Sequence, residues 1–184
     1  MTGFSGAFVV ALLGAESTGK TTLAAAIAAV YESRGIGVAL VPEYLREFCV
    51  EHGRTPRRQE QAGIAAEQAS RIELAARTAK LVVADTTALM IAVYSEFVFA
   101  DAGLYAEAEA AQRRCDLTLV TSLDLPWQAD GLQRDGPHVR EPVDALIRRA
   151  LARACVTPRT VSGHGDARLA SAIEAIDAAL HRRR

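Results

Sequence analysis

The residues whose types and spacing most clearly suggest chemistry lie near the start of the chain, in Gly14–Thr21. Their sequence, Gly-Ala-Glu-Ser-Thr-Gly-Lys-Thr, fits the phosphate-loop pattern G-x-x-x-x-G-K-[ST]. The glycines let the backbone curl so that successive N–H groups point inward at phosphate oxygens. We expect Lys20 to reach the β- and γ-phosphates of ATP and Thr21 to bind Mg²⁺. A glycine-rich turn without a ligand is the alternative. The predicted nucleotide-binding residues are Gly14, Ala15, Glu16, Ser17, Thr18, Gly19, Lys20, Thr21 and Thr22.

A second acidic element follows the apolar segment Leu81–Ala84, which is typical of a buried strand and ends on Asp85. A carboxylate at that position could hold Mg²⁺ directly or through water. The alternative is that Asp85 caps the next helix, although Thr86 and Thr87 could also do so. We interpret Asp85 first as a metal ligand and second as a candidate base.

Glu43 is the first candidate for the acceptor base, because it follows the predicted strand Val38–Val41. A carboxylate there would face an acceptor hydroxyl across the γ-phosphate and could take or orient its proton. Arg46 could hold an anion or a ribose. The competing interpretation is a solvated helix start, in which Glu43 and Glu47 have no catalytic role.

The loop Leu125–Arg134 contains the chain's one tryptophan, Trp127. Stacking on a flat ring would explain a tryptophan at this position, and a cationic ring would add cation–π attraction. Arg134 and Arg140, with flanking glycines, suit a lid that brings positive charge to the transferring phosphoryl group, and Arg134 is the predicted catalytic one. A packed tryptophan that anchors the loop is the alternative.

Strand-like and helix-like segments alternate along the whole chain, and this alternation predicts a parallel sheet with helices on both faces. The predicted fold is an α/β three-layer sandwich of the P-loop NTPase type, with a five-stranded, mainly parallel sheet. Residues 1–184 would form a single P-loop domain, with a lid segment at about 126–141. Ligands in such sheets bind beyond the carboxyl ends of the strands. The predicted strands are Phe8–Leu13, Val38–Val41, Leu81–Ala84, Leu117–Thr121 and a weak strand that runs to about Val161. The predicted helices are Lys20–Ser33, Gln59–Ala79, Leu89–Phe99, Tyr105–Arg114, Val143–Ala154 and Ala167–His181.

Length and composition exclude several classes of protein. With 184 residues, half of them apolar, the chain can form the core of one ordinary domain. A net charge of −1 gives no field for nucleic acid or an anionic membrane. Three widely spaced cysteines without C-x-x-C favour reduced thiols, and the histidines lack the H-E-x-x-H spacing of a zinc site. We expect a soluble, cytoplasmic protein whose partner is a small molecule. Both a monomer and an oligomer are compatible with the sequence.

Four segments, in this order and spacing, resemble one known family. They are Gly14–Thr21, Pro42–Glu47 (Pro-Glu-Tyr-Leu-Arg-Glu), Asp85–Thr87 and Pro126–Gly131 (Pro-Trp-Gln-Ala-Asp-Gly). The combination is similar to the ribosylnicotinamide kinase domain of NadR-type NAD-biosynthesis proteins, over nearly the whole chain. The phosphate loop is shared by many proteins, whereas the second and fourth segments are narrower and carry the identification.

The resemblance implies ATP- and Mg²⁺-dependent phosphorylation of the 5′-hydroxyl of nicotinamide riboside, which gives nicotinamide mononucleotide. It implies that Trp127 and Tyr44 stack on the cationic pyridinium ring and that Asp130 or Arg46 binds the ribose hydroxyls. Glu43 or Asp85 would then activate the 5′-hydroxyl.

The chain departs from the family pattern at two places. Thr87 stands where the family usually has a second acidic residue, and Gln133 stands where it often has arginine, with Arg134 next. Position 87 therefore offers no acidic side chain, and the lid arginine is either shifted by one position, to Arg134, or has a different role. Because the phosphate loop begins at residue 14, the resemblance further implies a stand-alone kinase domain.

Other classes fit the sequence less well. The chain contains no asparagine, so the guanine-reading N-K-x-D motif of GTPases is absent, and its length disfavours an AAA-type motor. A deoxynucleoside kinase or another small-molecule kinase of this fold remains the enzyme alternative. A non-catalytic nucleotide sensor remains the alternative from a different class.

Overall fold

A single five-stranded sheet organises the computed structural model, which describes residues 6–128 and 136–183. The strand order is β2-β3-β1-β4-β5, and every pairing is parallel. The sheet is therefore fully parallel where the sequence indicated a mainly parallel one. The strands are β1 Phe8–Leu13, β2 Val38–Val41, β3 Leu81–Asp85, β4 Leu117–Thr121 and β5 Arg159–Val161.

Seven α-helices connect and cover these strands in the described part of the chain. The helices are α1 Lys20–Ser33, α2 Tyr44–His52, α3 Gln61–Ala76, α4 Ala88–Phe99, α5 Tyr105–Gln112, α6 Arg140–Arg153 and α7 Gly165–Arg183. Short 3₁₀ turns at Arg58–Glu60 and Pro137–Val139 precede α3 and α6.

Both faces of the sheet are buried, as a parallel sheet requires. On one face, Phe8, Val10 and Leu12 of β1 pack with α1 and α7. On the other face, Leu13 belongs to the cluster formed with α2 to α6, while Val9 packs with α3. The predicted three-layer α/β sandwich is thus the observed fold.

The predicted bounds of β1, α1, β2 and β4 agree with the structure, whereas helix α2 was not predicted. Its nine residues bury Leu45, Phe48 and Cys49, which are spaced by three and four positions as one helical face requires. Gly53 ends the helix in the left-handed conformation, with φ 64°. The apolar spacing and the glycine were both present in the sequence, between the predicted strand Val38–Val41 and the predicted helix Gln59–Ala79.

Candidate functional site

The phosphate loop joins β1 to α1 at the carboxyl edge of the sheet. A Cβ atom added at Gly14 would lie 2.0 Å from the Thr121 hydroxyl oxygen, so only glycine fits there. Gly19 takes a left-handed φ of 74° immediately before α1. Thr121 donates a hydrogen bond to the Thr18 hydroxyl at 2.7 Å, and Thr18 donates to the Ala15 carbonyl at 2.9 Å. These contacts hold the loop in a fixed curve.

The start of α1 is suited to an anion. Its first turn carries no acidic residue, and its N-cap residue, Gly19, has no side chain that could bond its first N–H groups. Those groups and the helix dipole together favour negative charge. Lys20, the first residue of the helix, directs its Nζ at the Ala15 carbonyl, 2.9 Å away. Lys20 and Thr22 both line the adjoining cleft.

The two predicted metal ligands are in direct contact. Thr21 donates its hydroxyl hydrogen to Asp85 Oδ2 at 2.6 Å. Asp85 is only 2% exposed, and its Oδ1 atom is buried without a hydrogen-bond partner among the described residues. A hydroxyl and a carboxylate oxygen are the hard ligands that Mg²⁺ prefers, and the unpartnered Oδ1 leaves an acceptor position for it. The residues present therefore fit a Mg²⁺ ion.

The structure also decides which residue caps α4. Thr87 accepts a hydrogen bond from the Leu89 N–H at 3.2 Å, so Thr87 is the cap. Its hydroxyl donates to Gln112 Oε1 at 2.6 Å in the buried interior. Asp85 is consequently not the helix cap, and Thr87 is engaged in a structural contact.

Thr86, between Asp85 and Thr87, has an unusual backbone. Its φ is 73°, a left-handed value that is rare for a β-branched residue. The Thr86 N–H donates to the Leu12 carbonyl at 3.0 Å, and the Thr86 hydroxyl is buried without a partner within residues 6–128 and 136–183. Such strain, about 1–3 kcal/mol, is typically found at functional sites and persists only where neighbouring groups enforce it.

Glu43 and Arg46 lie at the start of α2, where Glu43 is the residue before the first helical position. The Arg46 Nε atom is 3.8 Å from Glu43 Oε2. The Glu43 side chain is 13% exposed and that of Arg46 42% exposed. Both residues line the same cleft as Lys20 and Thr21, so the structure brings the predicted base to the phosphate loop.

This cleft has a volume of about 970 Å³, at the upper end of the range typical of ligand sites, roughly 300–1,000 Å³. It runs along the phosphate loop between the start of α2 and the start of α7. Its other lining residues include Ala26, Tyr94, Leu125, Pro126, Gln128 and His164–Asp166. Tyr94 of α4 and the residues of α7 were not predicted.

Tyr44 and Trp127, the predicted stacking residues, do not appear in that lining. The Arg71 guanidinium covers the Tyr44 ring at 4.3 Å from its centroid, so one face of the ring is already occupied. Trp127 is half-buried, and its indole N–H has no hydrogen-bond partner in the part of the chain that the structure describes. Tyr94 and His164 contribute rings to the lining of the cleft, and the stacking roles of Tyr44 and Trp127 stay predictions.

The segment after β4 contacts the phosphate loop. Gln128 donates its backbone N–H to the Ser17 hydroxyl at 2.8 Å, and that hydroxyl lies 3.2 Å from the Gln128 carbonyl. Arg140, at the start of α6, is buried and donates to the Leu125 carbonyl at 2.9 Å. Asp130 and Arg134 lie outside the described residues, so their predicted roles stay predictions.

Arg168 of α7 is a site residue that the sequence analysis missed. It is 4% exposed, and it donates to the Thr18 carbonyl and to the Gly163 carbonyl, each at 2.8 Å. It also pairs with Asp124. Burial alone would raise the pKa of Asp124, but the Gly163 N–H and the Arg168 charge outweigh it and hold that pKa below its usual range. One guanidinium thus joins the phosphate loop to the loops after β4 and β5.

The buried face of α7 agrees only in part with the apolar pattern of its sequence. The apolar residues Leu169, Ile173, Ile176 and Leu180 all pack against the core, but Ile176 is the one among them that is fully buried. The other buried residues of the helix are Arg168, Ala172 and Ala179. A buried arginine is not visible in a hydrophobic pattern.

Comparison with known proteins places this geometry in a family. The family model described as AAA domain matches residues 9–168. No curated protein matches significantly. The matching family carries the AAA name, although the length of the chain disfavours an AAA-type motor. The match identifies the family of the domain alone.

Two solved structures are similar in fold. One is described as NadR protein in complex with NR, with a TM-score of 0.78 and 23% identity, covering 94% of this chain and 51% of that chain. The other is described as NadR protein in complex with NAD and AMP-PNP, with a TM-score of 0.70 and 22% identity, covering 94% of this chain and 49% of that chain. The resemblance to NadR-type proteins is confirmed at the level of fold, and this chain spans about half the length of each.

Proposed function

The chain belongs to the AAA domain family, and from that premise we propose that it is an ATP- and Mg²⁺-dependent kinase. Its proposed acceptor is the 5′-hydroxyl of nicotinamide riboside, and its product is nicotinamide mononucleotide. The observation that carries the proposal is the Thr21–Asp85 contact of 2.6 Å, beside Lys20 and in the neighbourhood of the cleft that Glu43 lines. A phosphate loop, a metal position and a candidate base meet at one edge of the sheet.

Thr21 and Asp85 would hold Mg²⁺. Within residues 6–128 and 136–183 no group of three or more His, Cys, Asp or Glu side chains is arranged for a metal ion. Two protein ligands suit Mg²⁺, which usually keeps several waters and binds substrate phosphates. When bound, the ion would offset charge on the β- and γ-phosphates.

The protein's own groups supply the remaining steps of an in-line transfer. Lys20 exchanges the Ala15 carbonyl for a phosphate oxygen, and the N–H groups at the start of α1 bind the phosphates. Glu43 accepts the proton of the acceptor hydroxyl as the new O–P bond forms and the bond to the β-phosphate oxygen breaks. We propose that Arg134 stabilises the charge of the transferred group.

The acceptor assignment is supported by the family resemblance and by the NadR structures, one described with NR and one with NAD and AMP-PNP. Nicotinamide riboside carries a cationic ring, which Trp127 or Tyr44 would stack against. Arg46 or Asp130 would bind its ribose hydroxyls. Arg46 lines the cleft beside Glu43.

We also propose that residues 1–184 act as one kinase domain with a lid at about 126–141. A cytoplasmic location is supported by the cysteines, since Cys49, Cys115 and Cys155 form no disulfide. Among the described helices, none is both long and apolar enough to cross a membrane.

A direct assay tests the function. Purified protein is mixed with ATP and Mg²⁺ and with nicotinamide riboside, deoxynucleosides or ordinary nucleosides, and both ADP and phosphorylated acceptor are measured. We expect phosphorylation of nicotinamide riboside with the highest kcat/KM. Preference for a deoxynucleoside would overturn the acceptor assignment. ADP release without an acceptor, or nucleotide binding without turnover, would instead favour the sensor.

A further inference from the structure

Gln68 of α3 is a buried polar side chain that the mechanism does not use. It is 0% exposed and lies behind the ends of β2 and β3. Its Oε1 accepts a hydrogen bond from the Tyr44 N–H at 2.8 Å. Its Nε2 lies 3.3 Å from the Pro42 carbonyl and 3.4 Å from the Thr86 carbonyl. One side chain therefore contacts both loops that carry the candidate carboxylates.

The chemistry of these partners fixes the orientation of the amide. The Tyr44 N–H can only donate, so it must face the Gln68 oxygen. The two carbonyls can only accept, so they must face the nitrogen, which has one hydrogen for each. Every polar group of the Gln68 side chain is then used, and the reverse orientation would place the amide oxygen against two carbonyls. No other natural side chain of this length offers one acceptor and two donors without a charge.

The three contacts are made to residues next to the two candidate carboxylates. Pro42 and Tyr44 flank Glu43, and Thr86 follows Asp85. The contact to Thr86 also acts on the residue with the strained φ of 73°. That conformation needs neighbouring groups to enforce it. The Gln68 amide holds the Thr86 carbonyl, and Leu12 holds the Thr86 N–H.

We propose that Gln68 is a positioning residue, which fixes the Glu43 and Asp85 carboxylates relative to each other. The inference rests on the proposed function, because it assigns to those carboxylates the roles of base and metal ligand. Gln68 makes no contact with substrate in this scheme and acts through the two loops. Precise placement matters because a displacement of about 1 Å can cost 10²-fold in rate.

The chain offers a matched control in Gln112 of α5. Gln112 is also 0% exposed. It accepts from the Thr87 hydroxyl at 2.6 Å and donates to the Thr118 hydroxyl at 2.8 Å. Replacing either glutamine by methionine removes a buried amide at nearly constant volume. Only the Gln68 change removes the contacts on both sides of Glu43 and the contact to the Thr86 backbone next to Asp85. Gln112 contacts that second segment through the Thr87 side chain alone.

The test compares Gln68→Met, Gln112→Met and wild type at a temperature where all three are folded. We expect Gln68→Met to lower kcat about 10- to 100-fold with the KM for ATP within about 2-fold, since the phosphate loop is untouched. Gln112→Met should lose stability but keep kcat within about 2-fold. Equal kcat losses in the two variants, or a normal kcat in Gln68→Met, would overturn the proposal. Should Gln68→Met fail to fold, Gln68→Glu keeps the shape and the Tyr44 contact, and we expect the same loss of kcat from it.

A second readout separates this proposal from the proposed function. The Mg²⁺ concentration at half-maximal binding of a non-hydrolysable ATP analogue reports on Asp85 without any acceptor. We expect Gln68→Met to raise that midpoint at least about 3-fold and Gln112→Met to leave it unchanged, because Gln68 holds the Thr86 backbone next to Asp85, whereas Gln112 contacts the Thr87 side chain. If wild type phosphorylates no acceptor, the proposed function fails, and the Mg²⁺ midpoint alone then tests the role of Gln68. An unshifted midpoint would then refute the role of Gln68.

Discussion

Glu43 follows strand β2 and Asp85 is the last residue of the neighbouring strand β3, but their carboxylates have different surroundings. Asp85 is buried and accepts a hydrogen bond from the Thr21 hydroxyl, whereas the less buried Glu43 lines the cleft. An acceptor can reach a cleft residue, while a buried carboxylate beside the phosphate loop suits a metal ion. The surroundings thus favour Glu43 as the base and Asp85 as the metal ligand.

We predict that Glu43→Gln lowers kcat about 10²- to 10⁴-fold, because the amide cannot accept the acceptor's proton. ATP binding should remain unchanged, since Glu43 is not part of the phosphate loop. Steady-state kinetics and nucleotide titration measure both quantities. The control is Glu47→Gln in the same helix, where Glu47 pairs with Arg71 at 2.6 Å on the exposed surface. A kcat loss no larger than that of the control would exclude Glu43 as the base.

At the scale of elements, Arg168 joins three loops through one side chain. Its contacts to Thr18, Gly163 and Asp124 link α7 to the phosphate loop and to the ends of β4 and β5. Asp124 is about a third exposed, so water compensates part of the loss if its partner is removed. The cost of removal therefore falls below the roughly 3–5 kcal/mol of a fully buried pair.

We predict that Arg168→Met costs about 2–3 kcal/mol of stability and raises the KM for ATP, because the Thr18 segment of the loop loses its support. Denaturant unfolding and steady-state kinetics measure the two effects. Arg183→Met serves as the control on the same helix. Arg183 binds the Ala7 carbonyl at 2.7 Å and Asp116 at 3.3 Å, away from the cleft. An equal rise in KM from the control would refute a specific link to the phosphate loop.

Sequence reasoning succeeded where the signal is local. The phosphate loop, β1 and α1 are fixed by neighbouring residues, and their bounds were predicted correctly. Contacts between distant segments were not predicted. Arg168 binds the Thr18 carbonyl, 150 positions away, and Gln68 of α3 binds the carbonyls of Pro42 and Thr86 in two loops. A hydrophobic pattern reports which residues are apolar, but it does not report which polar side chain a loop will need.

The turn before α3, the helix that carries Gln68, has an electrostatic support of its own. Arg54 binds both oxygens of Glu60, at 2.6 and 2.7 Å, and the Arg57 N–H binds Glu60 at 2.7 Å. The Arg54 hydrogen bonds, followed by that of Arg57, lower the pKa of Glu60 to about 2. A glutamate in an unfolded chain has a pKa of about 4.3.

The sign of the resulting pH dependence follows from linkage. Because the folded pKa is the lower one, Glu60 contributes stability above about pH 4.3 and loses it as pH falls to about 2. We predict that Glu60→Gln is less stable than wild type at pH 7 and that the difference shrinks through this window. Urea unfolding at a series of pH values measures it. A difference that stays constant with pH would contradict the assignment.

At the scale of the whole molecule, strand β1 links all three clusters of buried apolar residues. Phe8, Val10 and Leu12 belong to the cluster with α1 and α7, Leu13 to the cluster with α2 to α6, and Val9 to the third. The phosphate loop begins directly after this strand. Unfolding of any one cluster would therefore disturb the strand against which the other two clusters pack.

We therefore predict one cooperative unfolding transition, with an enthalpy of about 130 kcal/mol near 60 °C for a chain of 184 residues. Saturating ATP–Mg²⁺ at about 100 times its Kd should add about 2.7 kcal/mol and raise Tm by about 5–11 °C. Lys20→Ala should unfold in the same single transition but lose most of that increase, because it lacks the phosphate contact. Differential scanning calorimetry measures each quantity. Two separate transitions would contradict the single-domain proposal, whereas a normal nucleotide shift in Lys20→Ala would contradict the role of the lysine.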